Sequence, residues 1–158
     1  MVDIIVRRAE ADDAAVVASL NADVQAIHAQ ALPQRFKSPS PDAFSPEHAA
    51  SLISDPDNLV YLAILDGEPV GYAYAEIAHR PETPFNYAFS MIHLHHISVR
   101  PQARRCGVGR ALLASVRAEA EKAGIDLITL DVYMFNEAAR EFFRREGFSP
   151  YVERMWNK

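Results

Sequence analysis

The sequence predicts an α/β (α+β) fold in which helices flank a mixed β-sheet, and three observations carry that expectation. Asp66-Gly67 separates two apolar runs, residues 59–65 and 69–77, which is the signal of an antiparallel hairpin. Downstream, strand patterns at 91–100 and 127–133 are separated by a stretch in which Val108, Leu112, Val116 and Ala120 recur at every fourth position, one stripe of an amphipathic helix. A last strand is expected over 148–156, after the helix that Gly147 ends, so strands stand on both sides of the helices.

The elements follow in order. Residues 2–8 alternate weakly and read as a first strand. An alanine-rich helix is expected over 12–31, with Val16, Leu20, Val24 and Ile27 on its apolar side, until Pro33 stops it. Residues 32–45 hold three prolines and three serines and read as a loop whose large anchors are Phe36 and Phe44. Ser45-Pro46 is a cap followed by proline at the first helical position, which predicts a short helix over 46–54. After the hairpin, 78–90 is a polar connection containing two prolines. In the strand at 91–100, strict alternation puts His93, His95, Ile97 and Val99 on one face and Leu94, His96 and Ser98 on the other, and Pro101 ends it. Gly124 stops the central helix, Asn136 caps a helix running through Glu146, and Gly147 ends that one.

The length of 158 residues is expected to form one domain, 1–158. With 16 basic against 21 acidic residues the net charge is −5, which argues against a general nucleic-acid binder and favours a neutral or cationic partner. The single cysteine, Cys106, cannot form an internal disulfide, and the first residues lack the apolar run of a secretion signal, so a cytoplasmic protein is expected. No apolar stretch approaches the ~20 residues that cross a bilayer, so no membrane partner is expected.

The segment Arg104-Arg105-Cys106-Gly107-Val108-Gly109-Arg110 joins the strand at 91–100 to the central helix. The first amides of a helix lack intrahelical partners and sit at the positive end of the macrodipole. With two glycines and three arginines around them, they form a cradle for a phosphate. The alternative is a strand-to-helix loop whose glycines serve only the turn. No Lys-Ser or Lys-Thr follows a glycine, which excludes a P-loop. Leu112 stands where a dinucleotide fingerprint needs its third glycine.

Arg104-x-x-Gly107-x-Gly109 after Ile97-Ser98-Val99 resembles the acetyl-CoA-binding segment of the GNAT superfamily of N-acetyltransferases. Asn136-x-x-Ala139, followed by Phe142-Phe143 and Gly147-Phe148, is similar to that superfamily's second cofactor segment. The resemblance implies the GNAT fold, a mixed central sheet whose parallel central strands, here 91–100 and 127–133, splay apart. It implies acetyl-CoA as cosubstrate without a metal, and an acetyl group passed by direct attack to a primary amine of a small molecule or peptide. On that pattern the pantetheine arm lies along the backbone of Ile97, Ser98 and Val99. The diphosphate lies over Arg104, Arg105, Cys106, Gly107, Val108, Gly109 and Arg110, and Asn136 and Phe143 meet the arm. Many relatives carry at the position of Phe143 a tyrosine that protonates the departing thiolate. A phenyl ring cannot donate, which leaves water, Tyr133, Tyr87 or Tyr151 for that proton, or alternatively a CoA-binding sensor or interaction module with weakened catalysis. A homodimer through the last strand or a sheet edge is compatible with the chain, but no sequence feature encodes it.

An alkylammonium has a pKa of ~10, so acyl transfer at neutral pH calls for a base. His93 and His95 titrate in the useful range, and His-Leu-His is similar to the paired histidines of arylalkylamine N-acetyltransferases. The plain alternative for each is a hydrogen-bonded core histidine. Glu76 is the competing base, with a solvated strand-edge carboxylate as its alternative. A metal set of His93, His95, His96 and Cys106 lacks a spaced carboxylate or second cysteine to complete it. Cys106, the one thiol that could carry an acyl group, falls in the phosphate turn, which argues against that role.

Overall fold

The computed structural model of the chain describes residues 3–157. Five strands form one sheet in the order β1 (Ile4–Arg8), β2 (Asn58–Leu65), β3 (Glu68–Arg80), β4 (Phe89–Val99) and β5 (Ile128–Leu130). The first four pair antiparallel, and β5 pairs parallel to β4. The helices are α1 (Ala14–Leu20), α2 (Ala22–Ala31), α3 (Pro46–Ser54), α4 (Val108–Ala123) and α5 (Glu137–Arg145). A parallel neighbour needs a crossover, and α4 is that crossover between β4 and β5.

Each sheet face buries a helical layer. Ala63, Ala73, Ala75, Ile92 and Leu94 pack under Leu112, Leu113 and Val116 of α4, all buried. Val60, Leu62 and Tyr72 of the opposite face pack against Val17 and Leu20 of α1 and Ala49 of α3. Burying each large aliphatic side chain contributes about 1.5–3 kcal/mol, so the apolar stripe on α4 is what docks the helix and, with it, the turn at its N-terminus. The local signals for α3 and α5 hold. Ser45 Oγ accepts from the His48 amide at 3.1 Å, and Asn136 Oδ1 from the Ala139 amide at 3.2 Å. No helix among the described residues is long and apolar enough to cross a membrane.

Several sequence expectations need correction. Val2, expected to open β1, lies outside the described residues. The helix over 12–31 is two helices joined at Asn21, whose side chain leaves the helix surface to donate to Tyr72 Oη at 2.8 Å. The connection over 78–90 shrinks to 81–88, because β3 and β4 run on until Arg80 pairs with Phe89. The strand at 127–133 is ordered as a strand only from Ile128 to Leu130, since β4 and β5 pair over Ile92–Leu94 and then part. No strand forms over 148–156. The Phe148 amide instead closes the end of α5 on the Phe143 carbonyl at 2.9 Å.

Candidate active site

The alternation expected in β4 breaks at His95. Tyr74 pairs with His96 but Ala75 pairs with Leu94, so β4 carries one extra residue, a β-bulge at His95. The pairing of sides changes across it. Leu94 joins Ile97 and Val99 in the core under α4, while His93, opposite Glu76, shares the other face with Tyr74 and His96. His93 and His95 still meet, with ring centroids 4.7 Å apart, because the bulge swings His95 toward the face that His93 already occupies.

Glu76 is within hydrogen-bond reach of His95. His95 Nε2 lies 2.9 Å from Glu76 Oε2, and the His95 ring stacks on Tyr74 at 4.7 Å. A carboxylate accepts only, so this bond holds the proton on Nε2 of neutral His95 and leaves the Nδ1 lone pair open. His93 Nδ1 bonds Thr129 Oγ1 of β5 at 2.8 Å, and its Nε2 stands 3.8 Å from Asp131. Burial, reinforced by the neighbouring His95, lowers the His93 pKa below the ordinary imidazole value, so at neutral pH the ring is uncharged.

Beyond Leu130, where the strands part, a cluster of rings walls the opening. His28 of α2, Phe36, Tyr133 and Phe135 lie with centroids 5.1–5.5 Å apart across their contacts. Of the tyrosines considered for the thiolate proton, Tyr133 belongs to this wall. Tyr87 and Tyr151 line a separate 680 Å³ cavity beside Phe89 and Ile125, and both are largely exposed.

The turn before α4 has the expected backbone. Gly107 is the N-cap at φ +90°, a left-handed conformation that favours glycine, and Arg105 also has a positive φ of 64°. No side chain caps α4, and its first i→i+4 bond is Ala111 N to Gly107 O, which leaves the amides of Val108, Gly109 and Arg110 available. Arg104, Arg105 and Cys106 are exposed there; Arg104 Nε donates to the Val99 carbonyl at 3.1 Å, tying the turn to the end of β4. From His95 to Val99 the edge of β4 turned toward β5 has no strand partner, and Ile97, Ser98 and Val99 belong to that edge. A strand edge and uncapped helix amides in sequence fit an extended arm ending in a diphosphate.

Arg110, Phe143 and Asn136 each have partners within the protein. Arg110 is engaged: its Nε bonds Glu146 Oε1 at 2.9 Å, and Arg117 also donates to Glu146, so the pair of arginines holds that carboxylate below its usual range. Phe143 is buried in the core against Phe148, and it is Phe142 whose ring lies 3.3 Å from where a Cβ on Gly109 would stand. Asn136 Oδ1 caps α5, as its place before that helix predicts.

Residues 21–148 match the model of the acetyltransferase (GNAT) family. The chain belongs to the GNAT family of acetyltransferases. It is similar to the aminoglycoside N(6′)-acetyltransferase type 1 of Stenotrophomonas maltophilia, with 33% identity over 115 residues, 68% of this chain and 71% of that protein. Its fold matches a tetramutant of the BH1408 protein of Bacillus halodurans with a TM-score of 0.92 at 22% identity, covering 98% of this chain and 99% of that one. It also matches the aminoglycoside N-acetyltransferase AAC(6′)-Iy in complex with CoA, with a TM-score of 0.75 at 18% identity, covering 100% and 95% of the two chains. This GNAT acetyltransferase therefore uses acetyl-CoA, and its parted β4 and β5 are the splayed strands of the fold. Sequence reading missed Thr129, Asp131 and Tyr74 as neighbours of the histidines. Thr129 and Tyr74 owe their places to register between strands, and Asp131 directly follows β5.

Proposed function

We propose that the enzyme acetylates a primary amine of a small molecule by direct attack, with His95, backed by Glu76, as the base. The observation that carries this reading is the 2.9 Å bond from His95 to Glu76, at the bulge where β4 leaves β5. Acetyl-CoA, when bound, supplies the thioester. The amides of Val108, Gly109 and Arg110, with Arg104 and Arg105, suit its diphosphate, and the free edge at Ile97–Val99 suits the arm. The substrate ammonium gives a proton to His95 Nδ1, and Glu76 stabilises the resulting imidazolium. Neutral His93 stands beside it without adding a positive charge that would repel the ammonium. The thiolate released takes its proton from water or from Tyr133, because Phe143 has no hydroxyl and is turned into the core.

The acceptor reading rests on charge and aromatic surface. Glu76 and Asp131 are carboxylates beside the histidines, and the rings of His28, Phe36, Tyr133 and Phe135 offer faces to a cation. Aminoglycoside amines are the first class to test, given the relative of Stenotrophomonas maltophilia named above. Release of CoA thiol on mixing acetyl-CoA with neamine and with simple arylalkylamines tests the activity. Turnover of at least one amine, reduced about a hundredfold or more in His95→Ala, is the expected result. Calorimetric uptake of CoA with no thiol release from any amine would instead favour the sensor reading.

A further inference from the structure

Outside the residues given roles so far, one histidine is held with more care than packing alone requires. His96 lies on the same face as His93, with Tyr74 edge-on at 5.3 Å and Phe44 at 5.8 Å. Asn21 Nδ2 donates to Tyr72 Oη at 2.8 Å, and Tyr72 Oη lies 3.0 Å from His96 Nδ1. Tyr72 is buried and Asn21 donates to its oxygen, so its phenol proton has no acceptor but His96 Nδ1. The imidazole proton is then on Nε2. Nε2 has no protein partner, yet no sealed side-chain nitrogen or oxygen among the described residues lacks one, so Nε2 reaches open space. Burial holds the ring neutral, with a pKa lowered to about 4, and His95, His48 and His28 all lie near enough to add to that effect. A neutral ring with a directed N–H, beside the histidines of the site and near His28 of the aromatic wall, is a hydrogen-bond donor awaiting an acceptor atom.

We infer that His96 is a specificity-determining residue of the acceptor site, its tautomer fixed by Tyr72 and Asn21 so that Nε2–H binds a neutral oxygen of the substrate close to its amine. The inference rests on the N-acetyltransferase reading above and narrows it to amines with a hydroxyl or ether oxygen at that position. Tyr72 and Asn21 are positioning residues that act through the ring. The apolar surroundings reject a charged group there but accept a neutral oxygen.

The test uses a matched pair of amines, 2-phenylethylamine and 2-amino-1-phenylethanol, which differ only in that oxygen, with neamine as a third acceptor. Thiol release gives kcat/KM for each. The wild type is expected to prefer the hydroxylated amine by about three- to tenfold, the value of one neutral hydrogen bond. His96→Asn keeps an acceptor for Tyr72 but removes the donor at Nε2, and should abolish the preference, chiefly through KM. His96→Gln, whose amide nitrogen can stand where Nε2 stood, should restore it, and Tyr72→Phe should fall between. A wild type with no preference, or His96→Asn and His96→Gln variants that both keep it, overturns the inference while leaving the acetyltransferase reading intact. Absence of thiol release with all three amines removes that reading, and this inference with it.

Discussion

The turn before α4 and the histidine face of β4 lie next to one another but are built in different ways. The turn is made by consecutive backbone: Gly107 at φ +90°, three uncapped amides, and an apolar stripe on α4 that docks them. The histidine face is made across strands: Glu76 from β3, His93 and His95 from β4, and Thr129 from β5 meet only because of register and one inserted residue. A binding surface of the first kind tolerates side-chain change and depends on backbone conformation. One of the second kind depends on each side chain and on the bulge.

That difference can be broken by mutation. The largest expected effect is on the histidine face: His95→Ala should lower kcat by about a hundredfold or more while calorimetry finds CoA affinity unchanged, since the turn does not use the ring. The same face carries a pH signature in stability. His96 has a folded pKa of about 4 against an unfolded value near 6.5, so the unfolded chain binds the extra proton between those values. Stability from this group is fully present above pH ~6.5 and is lost as the pH falls toward 4, by on the order of 3 kcal/mol. Urea unfolding of His96→Gln should show that much less acid sensitivity in this window, whatever its stability at pH 7.

The turn should respond in the opposite sense. Gly107→Val forces a β-branched residue to φ +90°, a strain of about 1–3 kcal/mol, and should weaken CoA binding about tenfold or more while kcat at saturating acetyl-CoA stays close to that of the wild type. The smallest effect belongs to Arg110→Ala. Its side chain is exposed and paired with Glu146, so CoA affinity should change by no more than about threefold and the melting temperature by only a few degrees.

The same contrast explains what could be read from the sequence. The hairpin at Asp66-Gly67, the capped starts of α3 and α5, and the turn itself are encoded within a few consecutive residues, and each stands where the local pattern puts it. The apolar residues of 148–156 and the alternation at 127–133 state that a segment could be half-buried in a sheet, but not whether a partner edge exists: the first forms no strand and the second forms one only over Ile128–Leu130. A bulge adds a residue without any compositional mark, so strict alternation put His93 with Ile97 and Val99 when it belongs with His96. Asn21 looked like one more polar position on a helix; only the fold brings Tyr72 within reach to break that helix. His93, His95 and Glu76 were all identifiable as candidate bases, but the bond between His95 and Glu76, with His93 packed against the His95 ring, was not.

The proton-accepting role of that group is the claim on which the rest depends, and the pH dependence of thiol release from acetyl-CoA tests it most directly. For the wild type, kcat/KM with an accepted amine should fall on the acid side, because a protonated base cannot take the substrate's proton. In the His93→Ala, His95→Ala double variant that limb should vanish together with most of the rate. An acid limb unmoved in the double variant would contradict the account and pass the role of base to Glu76 alone.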